Sequence, residues 1–505
     1  MNESSAMIVS NLQTRGNSVR AVLLIIIVAA TVRFAIAAAV GLSVDESYTV
    51  AISRRLALSY YDHPPLHVWL VGMWAKLVGR EDPWVVRSPF IVLFAGTTWI
   101  MFRLTASAFG DRAGFWAALA LNLAPLFTIG TGSWVLPDGP LAFFSLLAVW
   151  LSLQANAESL SARAELLTWV AAGAAAGLAL LSKYLAIFPI LGLGLFLLTS
   201  RYRRVLTSPA PWLALLIAGV LFTPVIVWNA AHGWASFSFQ GSRALAHPFS
   251  LIRCAQEVAG QLAYLLPWMA APLAYALVRA LSQPRGEGWR WLFACLSIVP
   301  LVLFSLAGLW TTVLPHWPAI GWLFTFPLLG YEFARMERDG ARWPLQLAPL
   351  AAAALMLLLT LTVSQAMTGW MYRSVPGVPA DDPTTDVLDW SELRDALTSR
   401  HLLRRGVVVA TVSWIDAGKV DYALHGEIPV LCLSSDPRQF AFLRDARRFT
   451  GGEAIIVANA ARADWRQLAQ RHFERIETLP DVELARGGRA GLTLRVARGV
   501  GLKTE

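Results

Sequence analysis

Between Leu42 and Pro65 the chain reads L-S-V-D-E-S-Y-T-V-A-I-S-R-R-L-A-L-S-Y-Y-D-H-P-P, setting Asp45, Glu46, Asp62 and His63 beside Tyr48, Tyr60 and Tyr61. Charged groups next to hydrocarbon are costly unless paired or wet, so such a cluster in an apolar chain reads first as functional, a catalytic loop at a membrane face. Two adjacent acids can supply a general base, a metal ligand or a helix N-cap. In the capping reading, Asp45 starts a short interfacial helix running to about Leu58, with Glu46 favoured by the helix dipole. Proline pushes the residue before it into extended backbone, so Asp62 and His63, ahead of Pro64 and Pro65, sit on a stiff loop that is either a headgroup site or an interfacial turn. Asp138 in L-P-D-G-P-L is an N-cap or a site acid. Lys183 in L-L-S-K-Y either snorkels to the interface or binds phosphate. In the segment from Trp228 to Arg243 the aromatics read as a membrane belt, while His232, Gln240 and Arg243 could hold an anionic headgroup. His316 in L-P-H-W-P is a weaker candidate.

These residues must be positioned by an unusually greasy chain. Of 505 residues 56% are hydrophobic and 15% charged, and the mean hydropathy is +0.52. Apolar runs near 21–42, 84–105, 113–129, 138–155, 166–181, 184–199, 210–229, 258–280, 289–309, 316–334 and 344–367 match helices that cross about 30 Å of hydrocarbon. The expected architecture is therefore a mainly α, polytopic transmembrane bundle of about eleven or more helices. The first run follows Arg15 and Arg20 and ends near A-I-A-A-A, like a signal peptide, but its length and Arg33 point to an uncleaved membrane helix. Arg33 is expected to be buried and paired with an acid of the first loop. The 22 tryptophans suit a water–lipid interface. A net charge of +9 does not read as nucleic-acid binding, because no basic tract alternates with exposed aromatics. The three cysteines are far apart, with neither a CxxC pair nor a disulfide framework.

With the N-terminus cytoplasmic, each inner loop carries arginine, the sharpest case being R-Y-R-R at 201–204. The first loop 43–83, Asp138, Lys183, the 229–257 segment and His316 then all belong to outer segments. After a P-G-V-P-A-D-D-P-T-T linker, the chain alternates strand-like runs (Gly406–Val412, Pro429–Leu433, Glu453–Ala458, Leu492–Val496) with helix-like ones (Asp416–Leu424, Pro437–Arg444, Ala463–Arg471). This divides the chain into a membrane domain, 1–370, and a small extracytoplasmic α/β domain, 371–505, with no nucleotide-binding loop.

Read in order, D-E-S-Y, Y-Y-D-H-P-P-L-H-V-W-L, L-P-D-G-P-L, G-L-A-L-L-S-K-Y, P-V-I-V-W-N-A-A-H-G-W-A-S-F-S-F-Q and P-H-W-P resemble the membrane glycosyltransferases of the GT-C superfamily. The likeness is greatest to the bacterial branch of protein O-mannosyltransferases and lipid A aminoarabinose transferases, glycosyltransferase family 39-like. It covers about 1–370. The resemblance implies an inverting sugar transfer from a polyprenyl (undecaprenyl) phosphate carrier to a lipid A, glycan or protein acceptor at the periplasmic face of the bacterial inner membrane. It implies Asp45 as catalytic base, Glu46 assisting it, and Asp138 as a second acid that positions the acceptor or, with Asp45, binds a divalent metal ion. Lys183 and Arg243 fall where cations holding the carrier phosphate are expected. The remaining substrate-binding candidates are Tyr48, Tyr61, Asp62, His63, His232, Gln240 and His316. The aminoarabinose transferases carry lysine before proline where this chain has His63, whose charge near neutral pH is conditional. The competing reading is a transporter or flippase of lipid-linked sugars with a periplasmic accessory domain. Such proteins bind near the bilayer midplane on broken helices, often within repeats, whereas here the polar groups gather at one interface.

Overall fold

The computed structural model describes residues 3–156, 160–242, 247–283, 288–371 and 382–503, with 3–15 described as helical backbone only. The chain forms two compact units. One comprises Met1–Arg33, Leu58–His67 and Phe90–Met356; the other comprises Phe34–Ala57, Val68–Pro89 and Leu357–Glu505.

Most of the described chain is helical. Among the described residues six helices are long and apolar enough to cross a membrane: Gly16–Ala39, Pro83–Phe109, Ala162–Ser182, Ala210–Ala231, Gly288–Ala307 and Trp343–Thr368. Two bent pairs raise the number to eight at most. Five of the eleven expected runs are shortened or broken: 138–155 forms the 17-residue Asp138–Gln154, 184–199 forms Ile187–Thr199 after a 3₁₀ turn, and three more are interrupted. In 113–129, Pro125 holds Ala124 extended, so the helix Asp111–Leu123 ends and a π-helical turn, Leu126–Thr131, follows. In 258–280, Leu266 at φ 62° precedes Pro267, and Leu251–Leu265 meets Pro267–Leu281 at 113°. In 316–334 the chain forms only Ala319–Leu323 and Phe326–Arg338.

Within the first unit, Ala162–Ser182 is capped by Ser161, whose hydroxyl accepts from the Ala164 N–H, and it stops where Lys183 turns extended. Its small face meets Ala210–Ala231 closely. A Cβ at Gly173 would run into the Ala214 carbonyl, and one at Gly177 would lie 2.8 Å from Leu221 Cβ. Without a hydrophobic drive between helices in lipid, such close approach of backbones is what holds a crossing together. Arg33 is buried, but its partners are neutral rather than acidic. It donates to Asn122 Oδ1 and to the Thr128 hydroxyl and carbonyl, and lies 4.3 Å from the Phe94 ring centre.

The second unit contains a five-stranded sheet of β1 (Val408–Thr411), β2 (Val430–Cys432), β3 (Glu453–Asn459), β4 (Phe473–Arg486) and β5 (Arg489–Leu502), in the order β2-β1-β3-β5-β4. The first three pair in parallel, while β5 runs antiparallel to both β3 and β4. Val408, Ala410, Ile456, Ala458, Trp465 and Phe473 form the core on one face. The first three expected strands are present; β4 was not anticipated and β5 is longer than expected. Of the expected helices, Trp414–Ala423 and Trp465–Gln470 form, whereas Pro437–Arg444 reduces to Phe440–Leu443. In the same unit the helix Val44–Ser53 packs on Trp414–Ala423, where a Cβ at Gly418 would lie 2.8 Å from Tyr48 Cα.

Candidate active site

The sequence of the Val44–Ser53 helix decides the roles of its two acids. Ser43 is the N-cap, accepting from the Glu46 N–H at 3.4 Å, and the Glu46 carboxylate accepts back from the Ser43 N–H at 2.8 Å, closing a capping box. The cap is thus Ser43 and not Asp45. Glu46 is also held by Arg87, whose Nε and Nη2 donate at 2.8 and 2.6 Å; both side chains are buried. Arg87 further donates to the carbonyls of Ala37, Val40 and Gly41, tying the end of the first helix to the start of the next. Asp45, one residue earlier in the first turn, is exposed, where a helix favours negative charge. Glu46, expected to assist chemistry, therefore holds the backbone that carries Asp45.

Tyr48, expected to touch substrate, instead packs inside this unit. Its hydroxyl accepts from the Gln439 N–H at 3.0 Å, and its ring meets Trp414 edge-on at 5.3 Å. Lys419 reaches the turn before the helix, donating to the Leu42 carbonyl at 2.5 Å and to that of Leu388 at 2.9 Å. Burial pushes its amine down to about 7, against the pull of Glu46, Asp386 and Asp389.

In the first unit, Asp138 opens the helix Asp138–Gln154 and Lys183 follows the end of Ala162–Ser182; these helices pack together. Lys183 Nζ donates to both Asp138 oxygens at 2.9 Å, with 8% of the lysine side chain and 16% of the aspartate side chain exposed. Asp138 is neither a bare cap nor an isolated acid, and Lys183 does not snorkel. His67 and His316 both lie within electrostatic reach of the pair. Burial and then the Lys183 ammonium hold the His316 imidazole down at about 4, against Asp138, so it is neutral in the physiological range. The His63 ring lies edge-on to His67 at 5.8 Å. His67 was absent from the expected site, although it follows His63 by four residues at the start of Leu66–Val78.

The Tyr61–His63 loop is clamped from the Trp228–Ser242 segment. Gln240 donates to the Asp62 carbonyl at 2.7 Å, and Phe239 packs on Tyr61 at 4.8 Å. That reach depends on Asn229, whose side-chain oxygen accepts from the Ser236 and Phe237 N–H groups and so starts the helix Ala235–Ser242. Tyr184, next to Lys183, shares a 2.7 Å hydrogen bond with the Ser236 hydroxyl. The Asp62 side chain is buried. His232 closes its own helix: Nδ1 is 2.7 Å from the Trp228 carbonyl and the ring stacks on Trp228. Arg243 lies outside the described residues. Among the described residues no three His, Cys, Asp or Glu side chains are grouped to hold a metal ion.

By the length and composition of its helices the chain is a multi-span membrane protein, and the structural likenesses that follow give it the GT-C fold. A family model described as Dolichyl-phosphate-mannose-protein mannosyltransferase matches residues 62–228, which include Asp62, His63, His67, Asp138 and Lys183. No curated protein sequence matches the chain. Among solved structures, ArnT from Cupriavidus metallidurans in the apo state is similar at 17% identity and a TM-score of 0.66, over 94% of this chain and 97% of that one. The same protein bound to undecaprenyl phosphate is similar at 18% identity and a TM-score of 0.64, over 94% and 97%. The archaeal oligosaccharyltransferase AglB from Archaeoglobus fulgidus, in complex with an inhibitory peptide and a dolichol-phosphate, is 12% identical with a TM-score of 0.50, over 93% and 74%.

Proposed function

We propose that this protein is an inverting glycosyltransferase that moves a sugar from a polyprenyl-phosphate carrier to an acceptor in the bacterial envelope. The observation that carries this reading is the buried Asp138–Lys183 pair, which lies with His67 in the segment matched by the mannosyltransferase model and is flanked by His316 from outside that segment. The undecaprenyl phosphate in the ArnT structure and the dolichol-phosphate in the AglB structure support a lipid-phosphate carrier. The carrier sits in the bacterial inner membrane, with chemistry at the periplasmic face and residues 371–505 outside the membrane on that side.

Chemically, the acceptor hydroxyl oxygen attacks the anomeric carbon as the bond from that carbon to the phosphate oxygen breaks. The hydroxyl proton is held far too tightly near neutral pH to leave without a positioned base, the role that the family resemblance assigns to Asp45. The bond's electrons stay on the leaving polyprenyl phosphate, whose growing negative charge Lys183 stabilises from a site shielded from water. Asp138 holds the ammonium in place, and the neutral imidazoles of His316 and His67, with His63, offer N–H donors to phosphate or sugar. Tyr61, Gln240 and Arg243 contribute to the binding surface, and Glu46 acts as a positioning residue for Asp45.

The test is mass spectrometry of envelope lipids, glycans and proteins from cells with and without the protein, alongside Asp45→Asn. A carrier-linked sugar mass should appear on one acceptor class with the wild type only. An unchanged envelope, or wild-type transfer by Asp45→Asn, would overturn the proposal.

A further inference from the structure

Away from these residues, the first unit holds an elongated apolar cavity of about 240 Å³ between Asp138–Gln154, Ala162–Ser182, Ile187–Thr199 and Ala210–Ala231. Its wall runs from Ala179 and Ala186, close in sequence to Lys183, to Ser152, Trp169, Leu206 and Trp212 at the opposite helix ends. The wall mixes small residues (Ala148, Ala176, Gly194) with long side chains (Leu193, Leu215), which leaves a slot rather than a packed seam. Leu198, Trp212 and Leu215 also line it and are exposed, so it opens sideways on a lipid-facing flank. A void this apolar in a chain surrounded by hydrocarbon suits an alkyl chain, since interior packing is otherwise dense.

The far end carries a charge signal. The 3₁₀ turn Arg201–Thr207 supplies Leu206 to the wall and presents Arg201, Arg203 and Arg204 on its exposed side. Aromatic groups mark this level as a membrane–water interface: Tyr202 stacks on Trp289, Trp291 donates to the Thr199 hydroxyl, and Trp212 donates to the Leu206 carbonyl. We infer that the slot is a binding site for an anionic glycerophospholipid, one acyl chain lying in the cavity and the phosphate resting on Arg201, Arg203 and Arg204. Its headgroup end is set by the R-Y-R-R turn and not by Lys183, so the site does not depend on the transfer reaction.

The experiment uses the full-length protein in nanodiscs of mixed phosphatidylglycerol, phosphatidylethanolamine and undecaprenyl phosphate, transferred to detergent and read by native mass spectrometry. Two monodisperse variants are compared with the wild type. Arg201, Arg203 and Arg204 are jointly replaced by Gln to remove the charge. Gly194→Phe fills the slot, since a Cβ at Gly194 meets nothing within 4 Å. Wild type should retain one phosphatidylglycerol in preference to phosphatidylethanolamine, and each arginine should contribute about fivefold to that preference. The triple variant should lose the preference and Gly194→Phe should lose the lipid. Retention of phosphatidylglycerol by Gly194→Phe, equal retention of both phospholipids by the wild type, or capture of undecaprenyl phosphate in the slot would each overturn the inference.

Discussion

Glu46 and Arg87 meet through two hydrogen bonds of 2.8 and 2.6 Å, with neither side chain reaching solvent. Of the adjacent acids in D-E-S-Y, one is thereby consumed in fastening helix to helix and only Asp45 faces outward. Removing one member of a buried ion pair leaves the other uncompensated, at a cost of about 3–5 kcal/mol. Arg87→Met should lower the melting temperature of the purified protein sharply, whereas Asp45→Asn should leave it within about 0.5 kcal/mol of wild type. The double variant Glu46→Leu/Arg87→Met should recover much of the loss. An Arg87→Met protein as stable as wild type would remove the pair from the account.

The Asp138–Lys183 pair separates charge from shape. Lys183→Met should reduce turnover about 10²–10³-fold, as for loss of one group that stabilises developing negative charge. Lys183→Arg keeps the charge but not the compact ammonium, so it should restore stability more fully than turnover. Melting temperature and turnover measured side by side decide this, and wild-type turnover by Lys183→Met would exclude a phosphate role.

Asn229→Ala should release the start of Ala235–Ser242 and with it the Gln240 clamp on the Asp62 carbonyl. The lost hydrogen bonds cost about 1–3 kcal/mol. If the clamp shapes the substrate loop, KM for the carrier should rise more than kcat falls; a change in stability alone would confine Asn229 to a scaffold.

Lys419 makes a pH prediction whose sign is set by its burial. The unfolded chain keeps this proton up to about pH 10.4, while burial pushes the folded-state amine down to about 7. The unfolded state binds more protons between these values, so stability rises with pH across that interval and falls again as pH drops toward 7. Burial pushes Asp416 and Asp421 up to about 6, and their contributions, present at low pH, are lost as pH climbs through that value, below the lysine window. Thermal unfolding at pH 7 and pH 9 should show a higher melting temperature at pH 9, and Lys419→Met should flatten the rise.

Local features were legible in the amino-acid order; distant partnerships were not. A helix runs Leu66–Val78, where Pro64 and Pro65 end the loop and Trp69, Leu70, Met73, Trp74 and Leu77 follow at helical spacing. The short helix expected from Asp45 to about Leu58 exists but ends at Ser53. Strand β4 is hidden in the sequence because Pro480 interrupts its alternation, where the register shifts between Leu479 and Val482. The signal that could have revealed it is Gly487-Gly488, both at positive φ, joining β4 to β5 as a tight hairpin. Asp138 and Lys183 each stand out in the sequence, but nothing in spacing pairs residues 45 positions apart. Arg87 and Lys419 were missed for the same reason: each contacts the first loop only after the intervening chain has folded back.

That folding back has a consequence for how the protein is made. The helix bearing Asp45 is seated by Gly418 and Lys419, about 370 residues later. A ribosome that has already delivered the last long apolar helix has not yet synthesised those two residues. Throughout insertion the Asp45 segment must wait unseated, and a chain halted before Lys419 would be embedded yet unassembled at its first loop.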